Sequence, residues 1–196
     1  MQLQSRVTNI LSKPAAEWQV IAAEPADPAS LFTEYAAPLA AIPAICRFVG
    51  FSIVGMSLPF MGTYRVGIVQ GLTGAIVSWV MTLVGVYVAA VIVEKLAPTF
   101  QSSGSTIQAL KLVVYAYTPV WIAGVLNVIP ALSALIIVAA LYSIYLFYLG
   151  LPPLMKTPPD KVIPYMAVAA LVTIVVALVL GMVTAAIVGV GAYGGM

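Results

Sequence analysis

The sequence predicts an all-α membrane protein in which a short amphipathic arm precedes five transmembrane helices. Of the 196 residues, 63% are hydrophobic and only 7% are charged, whereas soluble domains contain about 25% charged residues. Five apolar stretches are long enough to cross a bilayer. Nearly all Lys and Arg residues then fall on one side of the membrane, which supports the count of five.

The limits of the spans follow from the length of each apolar stretch, since a crossing needs about 20 apolar residues. The stretch from 112 to 149 would form one helix of about 57 Å, so the segment Asn127–Pro130 must turn it back. Residues 37–196 are therefore expected to form one transmembrane domain. Its spans are predicted near residues 38–60, 66–93, 112–129, 132–149 and 162–190.

The distribution of positive charge predicts the orientation. With the N-terminus in the cytoplasm, only Arg65 lies outside and Arg47 lies within the membrane. An excess of Lys and Arg marks cytoplasmic loops, so the C-terminus is expected outside. The cytoplasmic set comprises Arg6, Lys13, Lys95, Lys111, Lys156 and Lys161.

Residues 1–36 are predicted to form the amphipathic arm, lying on the cytoplasmic face. Leu3, Val7, Ile10 and Leu11 follow the spacing of one helical face. The pair Asp27-Pro28 is typical of a helix start, with a capping carboxylate followed by proline.

Four residues of this arm are expected at the membrane surface. Trp18 and Tyr35 suit the headgroup level, and Arg6 and Lys13 supply positive charge beside them. The arm either leads into the first span or binds a protein partner on the cytoplasmic face, and the sequence leaves both alternatives open.

Arg47 is the residue that most needs an explanation. It lies nine residues past Pro38, about 14 Å along the predicted first span, and an unpaired Arg at that depth costs several kcal/mol. The nearest acidic residues are Glu34 and Glu94, at the cytoplasmic ends of the first two spans. Glu94 either pairs with the adjacent Lys95, which we favour, or faces Arg47.

Tyrosines provide another set of partners for Arg47. Tyr115 and Tyr117 of the third span and Tyr142 and Tyr145 of the fourth are expected to converge in the cytoplasmic half of the bundle. Arg47 would then donate to phenol oxygens and to carbonyls freed by prolines within the spans. The cluster is either an anion or lipid-headgroup site or a structural polar knot, and Arg47 could instead extend to the interface.

Several classes of function are disfavoured. The chain has no His and one Cys, and it carries no phosphate-loop or nucleophile motif, so no metal, cofactor or enzymatic activity is expected. A net charge of +2 does not suggest nucleic acid. Rows of small residues on the second and fifth spans fit packing within one chain or a homo-oligomer.

Three aromatic segments resemble the Yip family of five-pass membrane proteins, which is named in eukaryotes for interaction with Rab GTPases. They are Tyr115–Pro119, Leu141–Leu146 and Tyr148–Pro152, and the arm segments Pro14–Trp18 and Glu34–Tyr35 are similar to the bacterial branch. The resemblance covers essentially the whole chain. It implies the five-span fold and an inner-membrane location, while a bacterial member would not inherit a role with Rab GTPases.

Two functions follow from these observations. The first is a non-enzymatic membrane scaffold, adaptor or membrane-organising protein, whose partners are the bilayer, a bound lipid and a protein on the cytoplasmic face. The alternative is a transporter of a small solute, an anion or a lipid that uses the Arg47–tyrosine cluster, because buried charge and broken helices mark transport pathways.

Overall fold

The computed structural model describes residues 3–58 and 62–193, and this part of the chain contains five helices that are long and apolar enough to cross a membrane. The predicted number of spans is confirmed. In chain order, the first to fifth spans are Pro28–Val54, Ile68–Phe100, Thr106–Val128, Pro130–Met155 and Val162–Val188, and the fifth belongs to a helix that continues to Tyr193.

The first span begins ten residues earlier than the sequence predicted. The Asp27 carboxylate caps it by accepting a hydrogen bond from the Ser30 N–H at 3.1 Å, and Pro28 occupies the first turn. The cap was recognised in the sequence, but the helix it starts runs into the first span without a break.

The end of the first span also differs from the prediction. Gly55, with φ of +87°, ends the helix, since this backbone conformation favours glycine. Strand β1 (Met56–Leu58) then pairs antiparallel with β2 (Gly62–Tyr64), so the fold is not entirely α. Residues 59 and 60 of the predicted span lie outside the described residues.

Irregular turns occur within four of the spans. The first contains α-helix Ala37–Phe48 between π-helical segments Leu31–Ala36 and Val49–Val54. Such π turns often occur at functional sites. In the second span, α-helix Ile68–Leu96 continues into the 3₁₀ turn Ala97–Phe100. The third span consists of α-helices Thr106–Ala116 and Thr118–Ala123 and the 3₁₀ turn Gly124–Val128. The fourth begins with the 3₁₀ turn Pro130–Leu135 and continues as α-helix Ile136–Met155.

The third span is the central helix of the bundle. Within its most apolar stretch 67% of residues are buried, against none in the corresponding stretch of the fifth span. Polar side chains connect the other spans: Trp79 Nε1 of the second donates to the Ala37 carbonyl of the first at 2.9 Å, and the Tyr165 hydroxyl of the fifth donates to the Val93 carbonyl.

The arm is packed against the spans and contributes residues to the protein core, which the sequence analysis did not predict. Its helices are α1 (Leu3–Ser12) and α2 (Pro14–Ala23). Ile10 of α1 and Trp18 of α2 are fully buried, and α2 packs against the fourth span at a position where Gly150 leaves room for the Trp18 indole.

A buried ion cluster fixes the arm in this position. The Arg6 guanidinium of α1 donates to the carboxylates of Glu17 and Glu24, which lie in and just after α2. Lys111 of the third span donates to the Ile21 carbonyl at 2.9 Å and to the Glu24 carbonyl. Arg6 and Lys111 are only 2% and 3% exposed, so these two of the six predicted cytoplasmic charges are buried within the protein.

Replacing Gly150 by Val should destabilise the protein, because an added Cβ would lie 2.9 Å from the Trp18 ring and 2.5 Å from Leu112 Cδ1. Overpacking of this kind costs about 1–3 kcal/mol. The matched control is Gly181→Val, since a Cβ at Gly181 has no atom within 4 Å. Thermal unfolding in detergent should show a lower midpoint for Gly150→Val only, and equal midpoints would contradict this packing.

Arg6→Met should destabilise the protein by about 3–5 kcal/mol, because it leaves buried Glu17 without its counter-charge. Lys13→Met provides the control, since Lys13 is the neighbouring exposed cation. Chemical unfolding of both variants in the same detergent measures the difference. A wild-type stability for Arg6→Met would show that the arm does not depend on the cluster.

Candidate functional site

Arg47 lines a cavity of about 690 Å³ between the first, second and fifth spans. Pockets that hold organic ligands occupy about 300–1,000 Å³. Ser52 of the first span, Gln70 of the second and Tyr117 of the third are among the polar residues of its lining. The remaining wall consists largely of small and apolar residues.

The surroundings of Arg47 differ from those the sequence predicted. Because the first span begins at Pro28, Arg47 lies six residues past the middle of that span. This places it about 9 Å from the middle, toward the hairpin that β1 and β2 form between the first two spans. Its side chain is exposed to the cavity and the bundle surface, with Cζ 5.7 Å from the centre of the Phe51 ring. Across residues 3–58 and 62–193, no acidic group pairs with it.

Ser52 brings a second unsatisfied polar group to this cavity. It is 7% exposed, and its Oγ has no hydrogen-bond partner within the described part of the protein. Ser52 lies in the second π turn of the first span, against Gly71. A Cβ at Gly71 would come within 2.0 Å of Ser52 Oγ, so glycine is required for this approach.

The predicted tyrosine cluster does not surround Arg47. Tyr117 lines the cavity, whereas Tyr115 packs against the Tyr35 ring at 4.7 Å. The Tyr142 hydroxyl donates to the Leu11 carbonyl at 2.8 Å. Tyr145 lies beside Tyr142 and is half exposed.

Arg6 is the guanidinium that lies among phenols. Its Cζ is 5.5 Å from the centre of the Tyr115 ring, and the nearby Tyr35 hydroxyl is hydrogen-bonded to Thr118 Oγ1 at 2.9 Å. Sequence reasoning missed this cluster. The available signal was the presence of two acidic residues, Glu17 and Glu24, in a short arm that also carries Arg6, since a buried charge needs a partner.

The predicted surface group is only partly at the surface. Lys13 is exposed, while Arg6, Trp18 and Tyr35 are buried. Trp18 and Tyr35 serve as core residues because α2 and the start of the first span enclose the Tyr115 ring, which lies 6.3 Å from the Trp18 ring.

The two predicted acidic site residues lie apart from Arg47. Glu34 is exposed and Glu94 is partly buried, and neither belongs to the lining of the Arg47 cavity. Within the described ranges Glu94 forms no ion pair with Lys95, which fits the rule that adjacent helical residues do not face each other.

Known proteins resemble this chain along most of its length. The inner membrane protein YohC of Escherichia coli strain K12 is 28% identical over 160 residues, which is 80% of this chain and 82% of that protein. Inner membrane protein YohC of E. coli O6:H1 strain CFT073 matches to the same extent. No solved structure matches the chain.

The Yip family resemblance is confirmed by a match that extends from α1 to the end of the fifth-span helix. Residues 8–193 match the Yip1 domain, so the five spans and the arm from Thr8 onward fall within the matched region. The chain belongs to the Yip1 domain family.

Proposed function

We propose that this protein is a non-enzymatic, multi-pass inner-membrane protein that organises its membrane by binding an anionic headgroup at Arg47. The inner-membrane location is supported by the similarity to YohC. The binding function rests on one combination of observations. Arg47 has no acidic partner within the described structure, and the cavity beside it is also lined by Ser52, whose hydroxyl has no hydrogen-bond partner there.

A phosphate group suits these residues chemically. A guanidinium binds phosphate oxygens through two parallel charge-assisted hydrogen bonds. A ligand oxygen could also accept from the Ser52 hydroxyl. Binding would thus remove the free-energy penalty of an unpaired charge within a span.

The extent of the cavity favours holding a ligand over transporting one. Its lining on the second span runs from Gln70 to Val86 and ends near the middle of that span. The site therefore lies in the half of the bundle nearer the hairpin, which is sufficient for holding a ligand. A transport pathway would require a second opening on the arm side.

A protein adaptor is a second candidate function. The ion cluster holds α1 rigidly, and Gln4, Thr8, Asn9 and Lys13 are exposed on its outer side. A partner could recognise this polar surface. Deleting the arm would remove core residues such as Trp18, so partner capture is better tested with surface substitutions at Thr8 and Asn9.

Arg47→Gln should weaken binding of phosphatidylglycerol by about ten- to a hundredfold, because a charge-assisted hydrogen bond contributes about 1.5–3 kcal/mol. Native mass spectrometry can count phosphatidylglycerol and phosphatidylethanolamine retained from nanodiscs containing equal amounts of both. Arg65→Gln is the matched control, since Arg65 is an exposed Arg beside the hairpin. Equal retention by wild type and Arg47→Gln would contradict the proposed site.

We also propose that the N-terminus lies in the cytoplasm, which the excess of exposed Lys on the arm side supports. In a Cys46→Ala background, Tyr64→Cys should react with an impermeant maleimide on intact cells, and Lys13→Cys only after permeabilisation. Both positions are exposed, so access depends on the side of the membrane. The reverse pattern would overturn this orientation.

A further inference from the structure

We infer that the ligand of the Arg47 cavity is an anionic glycerophospholipid whose acyl chain lies in the groove between the second and fifth spans. This inference rests on the proposed headgroup site and identifies the class of its ligand. A soluble phosphate offers the same headgroup chemistry, so the length and the polarity of the groove must distinguish the two sources.

The groove is longer than a headgroup requires. Along the second span it extends from Gln70 to Val86, which is sixteen residues or about 24 Å. Half of the hydrocarbon core is about 15 Å thick. The groove can therefore accept the chain of a lipid from the leaflet at the hairpin end while the headgroup stays near Arg47.

On the arm side of Arg47, three of the four described Ser and Thr residues that line the cavity have their hydroxyls engaged within their own helices; Thr173 is the fourth. Ser78, Thr82 and Thr184 line this part of the cavity. Each hydroxyl donates to a carbonyl of its own helix, at 3.0, 2.8 and 2.8 Å respectively. Their hydrogen-bonding capacity is largely used within the helices, so the wall suits methylene groups better than a polar solute.

Small residues keep the groove open between the two helices. Gly74 and Ala185 line it, and an added Cβ at Gly74 would have its nearest neighbour, Val188, at 3.9 Å. A methyl group would thus fit beside Gly74 in ordinary van der Waals contact. The charge of Arg47 favours an occupant with an anionic end, and the buried, unsatisfied Ser52 hydroxyl at the same cavity adds a hydrogen-bond donor.

The groove can be filled by one substitution that has a neighbouring control. Ala185→Leu places a larger side chain in the lining, whereas Ala186 is exposed and lies outside it. Phosphatidylglycerol with a photoreactive diazirine on its acyl chain serves as the probe, in nanodiscs that otherwise contain phosphatidylethanolamine. Phosphatidylcholine with the same label measures contact that does not depend on headgroup charge.

After irradiation, peptide mapping should place the phosphatidylglycerol label on groove residues such as Met81 and Leu180. Ala185→Leu should reduce this labelling about tenfold, since overpacking excludes the chain, and Ala186→Leu should leave it unchanged. Ala185→Leu should still retain phosphatidylglycerol in native mass spectrometry if Arg47 holds the headgroup. Labelling that is spread evenly over the outer faces of the spans, or equal in both Ala variants, would overturn the acyl-chain inference.

Two further comparisons separate the failure of this inference from failure of the headgroup site. If millimolar inorganic phosphate or glycerol phosphate displaces the retained phosphatidylglycerol, the ligand is a soluble anion and the acyl-chain inference is wrong while Arg47 binding stands. If Arg47→Gln changes neither retention nor labelling, the headgroup site itself is wrong.

Discussion

The packing of the arm depends on one buried interaction, the pairing of the Arg6 guanidinium with Glu17 and Glu24. Two charges removed from water are tolerated only when good geometry and additional hydrogen bonds compensate for their desolvation. Here the pair lies against the ring of Tyr115, and Lys111 hydrogen-bonds carbonyls of the same arm. The cluster thereby joins α1, α2 and the third span.

Arg47, by contrast, has few partners. Glu17, Glu24 and Tyr115, the last of which the sequence had suggested for Arg47, surround Arg6 at the arm end of the molecule, whereas Glu34 and Glu94 lie outside the lining of the Arg47 cavity. The two guanidiniums therefore have opposite roles. Arg6 is satisfied by the chain itself and stabilises the fold, while Arg47 remains available for a group that the chain does not supply.

The five spans could be predicted because the length of an apolar stretch is a local property that the bilayer thickness fixes directly. The start of the first span was harder. Thr33 and Glu34 interrupt the apolar pattern, although the cap at Asp27 shows where the helix begins. A polar face is tolerated there because that part of the span carries exposed residues beside the buried Leu31 and Tyr35.

The contents of the two polar sites were much less predictable. Arg6 meets partners 11 and 18 residues away within the arm, and meets Tyr115 across more than a hundred residues. Hydrophobic periodicity indicates which face of a helix is apolar, but it does not identify the neighbour of that face. The same limit applies to Ser52 and Gly71, whose close approach depends on a π turn that shifts the end of the first span.

A packing defect and an evolved lipid site make different demands on the cavity wall. A defect between membrane helices needs only small or apolar residues, because lipid tails can fill the gap without specific contacts. Arg47 carries a large free-energy penalty in such a place unless it reaches an anionic group. If the Arg47 side chain extended to the interface, it would contact lipid phosphates there. Extension to the interface and headgroup binding in the cavity therefore both pair the guanidinium with phosphate. The length of the groove and the unsatisfied Ser52 hydroxyl beside it favour a lipid that is retained at this site over lipids that exchange freely with the bilayer.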